Sequence, residues 1–172
     1  MSLLCCSLLL LQASVFGQEQ TGRRLSSFEP GNRAQSVYFE LLGPGLTYSF
    51  NYDTRFQNTL NGLGGRAGLG YISVEGNSVV SVPVMVNYLL GKGGKYFEMG
   101  LGATYIGFNS AESASDNEVL FINDSQVFGT MVFGYRRQPV DGGFLFRAGL
   151  SPVFGSGNFI PYYGYIAFGY SF

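Results

Sequence analysis

Eight runs of alternating residues between Val37 and Phe172 constrain this chain more than any other feature, because a period of two means strands with two different faces. One face is apolar in every run. Val37, Phe39 and Leu41 are followed by Leu46, Tyr48, Phe50 and Tyr52, by Leu63, Ala67, Leu69 and Tyr71, and by Val80, Val82, Val84, Val86 and Tyr88. The later runs are Phe97 to Tyr105, Met131 to Tyr135, Phe144 to Leu150 and Ile166 to Phe172, again with the apolar residues at every second position. None of these faces carries a charge, and the opposite faces are mostly Gly, Ser, Thr and Asn.

Which face points outward decides the fold class. A barrel in water hides its apolar face and clothes its exterior in charge, but the polar faces here are too bare for a solvated surface. They suit a lumen in which small residues leave space for a few long side chains, with the apolar faces turned to lipid. Only helices and closed barrels satisfy every backbone group in hydrocarbon, and no apolar segment is long enough for a spanning helix. The expected fold is therefore an all-β, eight-stranded, antiparallel, up-and-down transmembrane β-barrel in the outer membrane, in contact with its lipid. Composition agrees: 16 Phe, 12 Tyr and 26 Gly with no His exclude a disordered chain. Ten Lys and Arg against eleven Asp and Glu leave no basic field, so no nucleic acid is expected as a partner.

Residues 1–17 read as a signal peptide: the apolar stretch Leu3 to Phe16 is too short to span, small residues precede the cleavage position at Gly17, and a polar run follows. Residues 18–35 lack either period and read as a flexible periplasmic leader, so the barrel domain is 36–172. With Gly43-Pro44-Gly45 as a turn, the long gap from Asn109 to Asp124 falls on the outer side and the short gaps at 91–94 and 138–142 on the periplasmic side, the distribution such barrels show. The alternative is seven runs, with residues 36–54 forming one strand kinked at the glycines.

The polar faces carry Glu40, Asp53 and Glu98 against Arg55, Arg66, Arg136 and Arg147. An eight-stranded barrel has room only for its own side chains, so these charges need one another, and arginine pairs bidentately with carboxylates. They are expected to form a lumenal network that closes the barrel, with Glu98 as its hub and Glu40 higher and less involved. The alternative is a polar path or gate for a small solute. Arg is expected to be tolerated better at the polar-face Ser81 than at the apolar-face Val84.

Other motifs carry less. Gly62 to Ala67 has dinucleotide-fingerprint spacing but no following helix, and Gly91 to Lys95 lacks the spacing and hydroxyl of a phosphate loop, so a strand and a hairpin turn are expected there. Asn123-Asp124-Ser125 is a chance sequon in this setting. The loop acids Glu112, Asp116, Glu118 and Asp124 follow no metal-loop pattern and read as a solvated surface, whose partner the residues do not specify. No catalytic residue, metal or cofactor is expected.

The segments VYFELLGPGLTYSFNYDTRF, VPVMVNYLLGKGGKYFEMGLGATY, FGYRRQPVDGGFLFRAGLSPVF and YIAFGYSF resemble the small outer-membrane β-barrel proteins of the Bacteroidetes, a porin-like or OmpA-like class. That resemblance implies a final strand read by the barrel-assembly machinery, for which Tyr170 and Phe172 match the aromatic pattern, while Ala167 stands where glycine is usual. Enzymes among small barrels use a histidine, which this chain lacks, leaving a carboxylate-based membrane hydrolase as the one catalytic exception. The expected role is structural or interactive at the cell surface. The alternative is a narrow-pore, small amphipathic ligand-binding or transport barrel.

Overall fold

A computed structural model describes residues 33–74, 77–109, 124–155 and 157–172. The expected signal peptide, most of the leader, Glu112, Asp116, Glu118 and Asn123 lie outside the described residues. Among the described residues ten strands follow one another: β1 (Gln35–Leu42), β2 (Tyr48–Arg55), β3 (Gly62–Val74), β4 (Asn77–Lys92), β5 (Lys95–Asn109), β6 (Asp124–Arg137), β7 (Gly143–Leu150), β8 (Val153–Gly155), β9 (Asn158–Ile160) and β10 (Gly164–Ser171). Each ladder is antiparallel, and β1 pairs with β10 through Val37 and Tyr170, closing the sheet on itself.

The closed barrel has eight staves. The last two runs are each one strand, β7 and β10, and each stave continues past a proline into a short strand that the runs did not include, β8 beyond Pro152 and β9 before Pro161. Proline has no N–H to give a ladder, so the chain bends there. The ladder resumes when the Met131 N–H donates to the Pro152 carbonyl at 2.9 Å. The first two runs are separate strands, as Leu41 pairs with Tyr48 and the Leu42 N–H donates to the Thr47 carbonyl, which excludes the single kinked strand over residues 36–54. Gly93 and Gly94, both at positive φ, make the tight turn between β4 and β5 that a type I′ hairpin requires.

The side-chain parity is inverted relative to a protein that folds in water. Phe50, Leu69 and Val84 point outward with 65%, 57% and 54% of their surface exposed, whereas Arg55, Glu98 and Arg147 point inward with none. Inward glycines leave room for these long chains. A Cβ at Gly64 would strike the Arg55 guanidinium and one at Gly134 the Tyr165 hydroxyl. Apolar residues also face in, where Met85, Val132 and Tyr165 pack together, as do Tyr38, Leu145 and Ala167.

The wall is not level. Strands β3 to β6 run 13 to 16 residues while β1 and β2 have eight each, so one side stands higher at the rim opposite the chain ends. Beside the low side, the Tyr48 hydroxyl donates to the carbonyl of Tyr71, satisfying a β3 edge group beyond the end of the β2–β3 ladder.

Candidate functional site

The connection between β1 and β2 bends into the barrel instead of standing above it. Gly43, Pro44 and Gly45 form one 3-10 turn and all three are buried. Ser81 Oγ of β4 donates to the Gly45 carbonyl at 2.9 Å, and Thr104 Oγ1 of β5 donates to the Pro44 carbonyl at 2.6 Å. The Tyr163 hydroxyl holds the Leu46 carbonyl at 2.5 Å. Entering and leaving this position forces both flanking leucines to positive φ, Leu42 at 61° and Leu46 at 71°. Such conformations in residues with a Cβ cost on the order of 1–3 kcal/mol each and persist only where surrounding contacts over-determine them. Ser81 is therefore no open lumenal position: an arginine there would displace the turn, which corrects the expectation that Ser81 tolerates the change better than Val84.

Beneath this roof the seven lumenal charges make one alternating sequence of ion pairs. Asp53 Oδ1 takes Arg55 Nη2 at 2.6 Å and Arg136 Nη2 at 3.0 Å. Arg136 Nη1 then lies 3.8 Å from Glu98 Oε2. Glu98 accepts both Nε and Nη2 of Arg147 at 2.8 Å, a bidentate grip. Arg147 Nη1 reaches on to Glu40 Oε2 at 3.1 Å, and Glu40 receives Arg66 Nη1 at 3.0 Å. The order Arg55, Asp53, Arg136, Glu98, Arg147, Glu40, Arg66 thus begins and ends on a cation, with every member at most 3% exposed.

Neutral residues complete it. Asn87 Nδ2 donates to Asp53 at 2.6 Å and to Glu98 at 2.9 Å, while its carbonyl oxygen accepts Arg55 Nη2 at 2.7 Å, so it clamps the two halves where the direct pair is longest. Arg136 also donates to Ser36 and Gln138. The Arg147 guanidinium carbon sits 4.4 Å from the Tyr38 ring centroid and 5.3 Å from that of Tyr165, within cation–π range of both.

Two features depart from the reading of the sequence. Glu40 does not stand apart: it holds Arg66 and Arg147, two arginines, the same number as Glu98. The hub is shared, with Arg147 joining the two glutamates and Asp53 holding the other end. Asn87, Tyr38, Tyr165, Ser36 and Gln138 were not singled out, although inward parity was visible for the first four. Tyr170 and Phe172 lie on the outer face of β10 and at its end, both exposed, and Phe172 exchanges two backbone hydrogen bonds with Gln35 of β1 at 2.9 and 3.1 Å.

No family model matches the chain, and no curated protein sequence does. Among solved structures it is similar to the N-terminal β-barrel domain of Pseudomonas aeruginosa OprF, with a TM-score of 0.56 at 10% identity, over 83% of this chain and 98% of that one. At that identity the likeness extends to the barrel fold.

Proposed function

We propose that the protein is an outer-membrane β-barrel with a structural or surface-interaction role, whose lumen is closed by its own side chains and by the inward β1–β2 turn. One observation carries this reading: the barrel is inside-out, with aromatic and aliphatic side chains on its exterior and a buried, mutually neutralising set of charges within. A polar interior beneath an apolar exterior is stable only if the exterior meets lipid. The longest connection, residues 110–123 between β5 and β6, joins strands at the rim opposite the chain ends, so the chain-end rim faces the periplasm in this reading. A non-enzymatic role accords with the lumen's contents, because each lumenal carboxylate is bound to arginine and none is free to act as an acid or base.

The protein should fractionate with outer membranes, resist extraction by carbonate or high salt, and migrate differently in detergent gels before and after boiling. Release into the aqueous fraction by carbonate would refute the membrane reading. Lack of steady conductance in planar bilayers is the companion expectation for a closed lumen, and a steady wild-type conductance would favour the narrow-pore alternative.

Val84 tests the lipid face directly. It sits near the middle of β4 opposite Ala67 and Ala103, pointing outward. Val84→Arg should lower the unfolding free energy in lipid by ~2–4 kcal/mol, the penalty for a cation near the bilayer midplane on a barrel exterior. In a detergent with a mobile belt the loss should be smaller, and an equal loss in both media would place Val84 away from the bilayer centre.

A further inference from the structure

The outer face of strands β4, β5 and β6 is organised in rows. Register pairs Lys92 with Lys95 and Lys95 with Arg137, so three cations stand side by side on neighbouring strands at the rim that carries the chain ends. All three are exposed and share the outward parity of the apolar residues. The next row in is Leu90, Phe97 and Tyr135, then Tyr88, Met99 and Phe133, then Val86, Leu101 and Met131. Like charges directly opposite one another destabilise a ladder. Here two such pairs adjoin, and among the described residues none of the three cations forms an ion pair with a carboxylate.

The uncompensated row lies directly below a receptacle for hydrocarbon. A groove of about 310 Å³ runs over the same strands, lined by Tyr88, Met99, Leu101, Met131 and Phe133 among others. It begins two rows above the cations, about 13 Å at roughly 3.3 Å per strand residue. That offset matches a lipid whose phosphate meets the cations while an acyl chain lies along the groove. At the opposite rim β5 and β6 are joined through residues 110–123, whose sequence carries Glu112, Asp116 and Glu118 and no Lys or Arg.

We propose that Lys92, Lys95 and Arg137 bind the headgroup phosphate of an anionic phospholipid in the leaflet at the chain-end rim, with one acyl chain in the groove above. This rests on the membrane reading. Free phosphate is the other source of the same chemistry, but it would make no use of the apolar groove aligned with the cations.

The test is native mass spectrometry of the full chain in mild detergent, with phosphatidylglycerol and phosphatidylcholine offered at equal mole fraction. The wild type should retain phosphatidylglycerol preferentially, and Lys92→Gln, Lys95→Gln and Arg137→Gln should each reduce that preference by about fivefold, as expected for one cation near a membrane surface. Lys95→Arg should keep it, and so should Arg33→Gln, which alters an exposed cation outside the row. A preference undiminished in the glutamine variants would overturn the proposal, as would complete displacement of the lipid by soluble glycerol phosphate, which would make this a free-phosphate site. Carbonate extraction separates the two levels: a chain released into the aqueous fraction fails as a membrane protein, whereas one that remains inserted without lipid preference fails this inference alone.

Discussion

Arg147→Met should destabilise the barrel by ~3–5 kcal/mol, the loss expected when one partner of a buried ion pair is removed and the other is left uncompensated. Arg147 bridges Glu98 and Glu40, so its loss takes an arginine from two buried anions at once and leaves Glu98 only the longer contact with Arg136. Its position between the Tyr38 and Tyr165 rings adds contacts that methionine replaces only in part. Arg55→Met, at the end of the sequence of pairs, should cost less, because Asp53 keeps Arg136 and Asn87. Glu98→Ala and Glu40→Ala should fall close together, each releasing two arginines. The measurement is the unfolding free energy of the four variants in one lipid or detergent. If Arg147→Met is no worse than Arg55→Met, the charges act as separate pairs and not as a connected set.

Changing Tyr170 and Phe172 together to Ser should leave most of the chain unassembled in the periplasm, detectable as loss of the heat-modifiable form and as protease sensitivity in opened cells. Two physical roles coincide in these residues. They are exposed aromatic anchors on the outer face of β10, and Phe172 joins Gln35 where the last strand meets the first, the seam without which the sheet would keep two open edges. Serine can still make the backbone bonds of the seam, so the double variant removes the anchors while leaving closure possible. Normal assembly of that variant would show that the aromatic ending carries no recognition here. Deletion of Phe172 alone, which removes the pairing with Gln35, should also impair assembly and separates the seam from the side chains.

The strands and their faces were legible because parity is a local property. Val84 must point opposite to Ser81, Met85 and Asn87 whatever the rest of the chain does. Height in the barrel is not local. Strands slant around a closed wall, so rows connect residues that turn-counting sets at different levels. Glu40 lies in register with Ala167, and Ala167 with Arg147, which brings a residue of the first strand onto the arginine of the seventh. Conversely, Asp53 and Arg66 are register partners, and Arg66 nevertheless pairs with Glu40. Arg136 and Arg147 face each other directly, a like-charge pair tolerable because Glu98 reaches both. The turn at Gly43 to Gly45 was legible as a turn from its composition, but whether it leans inward depends on Ser81, Thr104 and Tyr163, each distant in the chain.

That inward lean fixes where this protein can vary. A turn standing in solvent can lengthen, accept an inserted tag or drift in sequence with little effect on the wall beneath it. Residues added at Pro44 would have to be housed in a space already occupied by the turn itself and bounded by Ser81, Thr104, Ser49 and Tyr165. The turn of the first hairpin is thereby withdrawn from its rim, which leaves three other connections there, those between β3 and β4, β5 and β6, and β8 and β9. An epitope library grafted across all four connections should yield surface-accessible insertions at three of them and misassembled protein at the first.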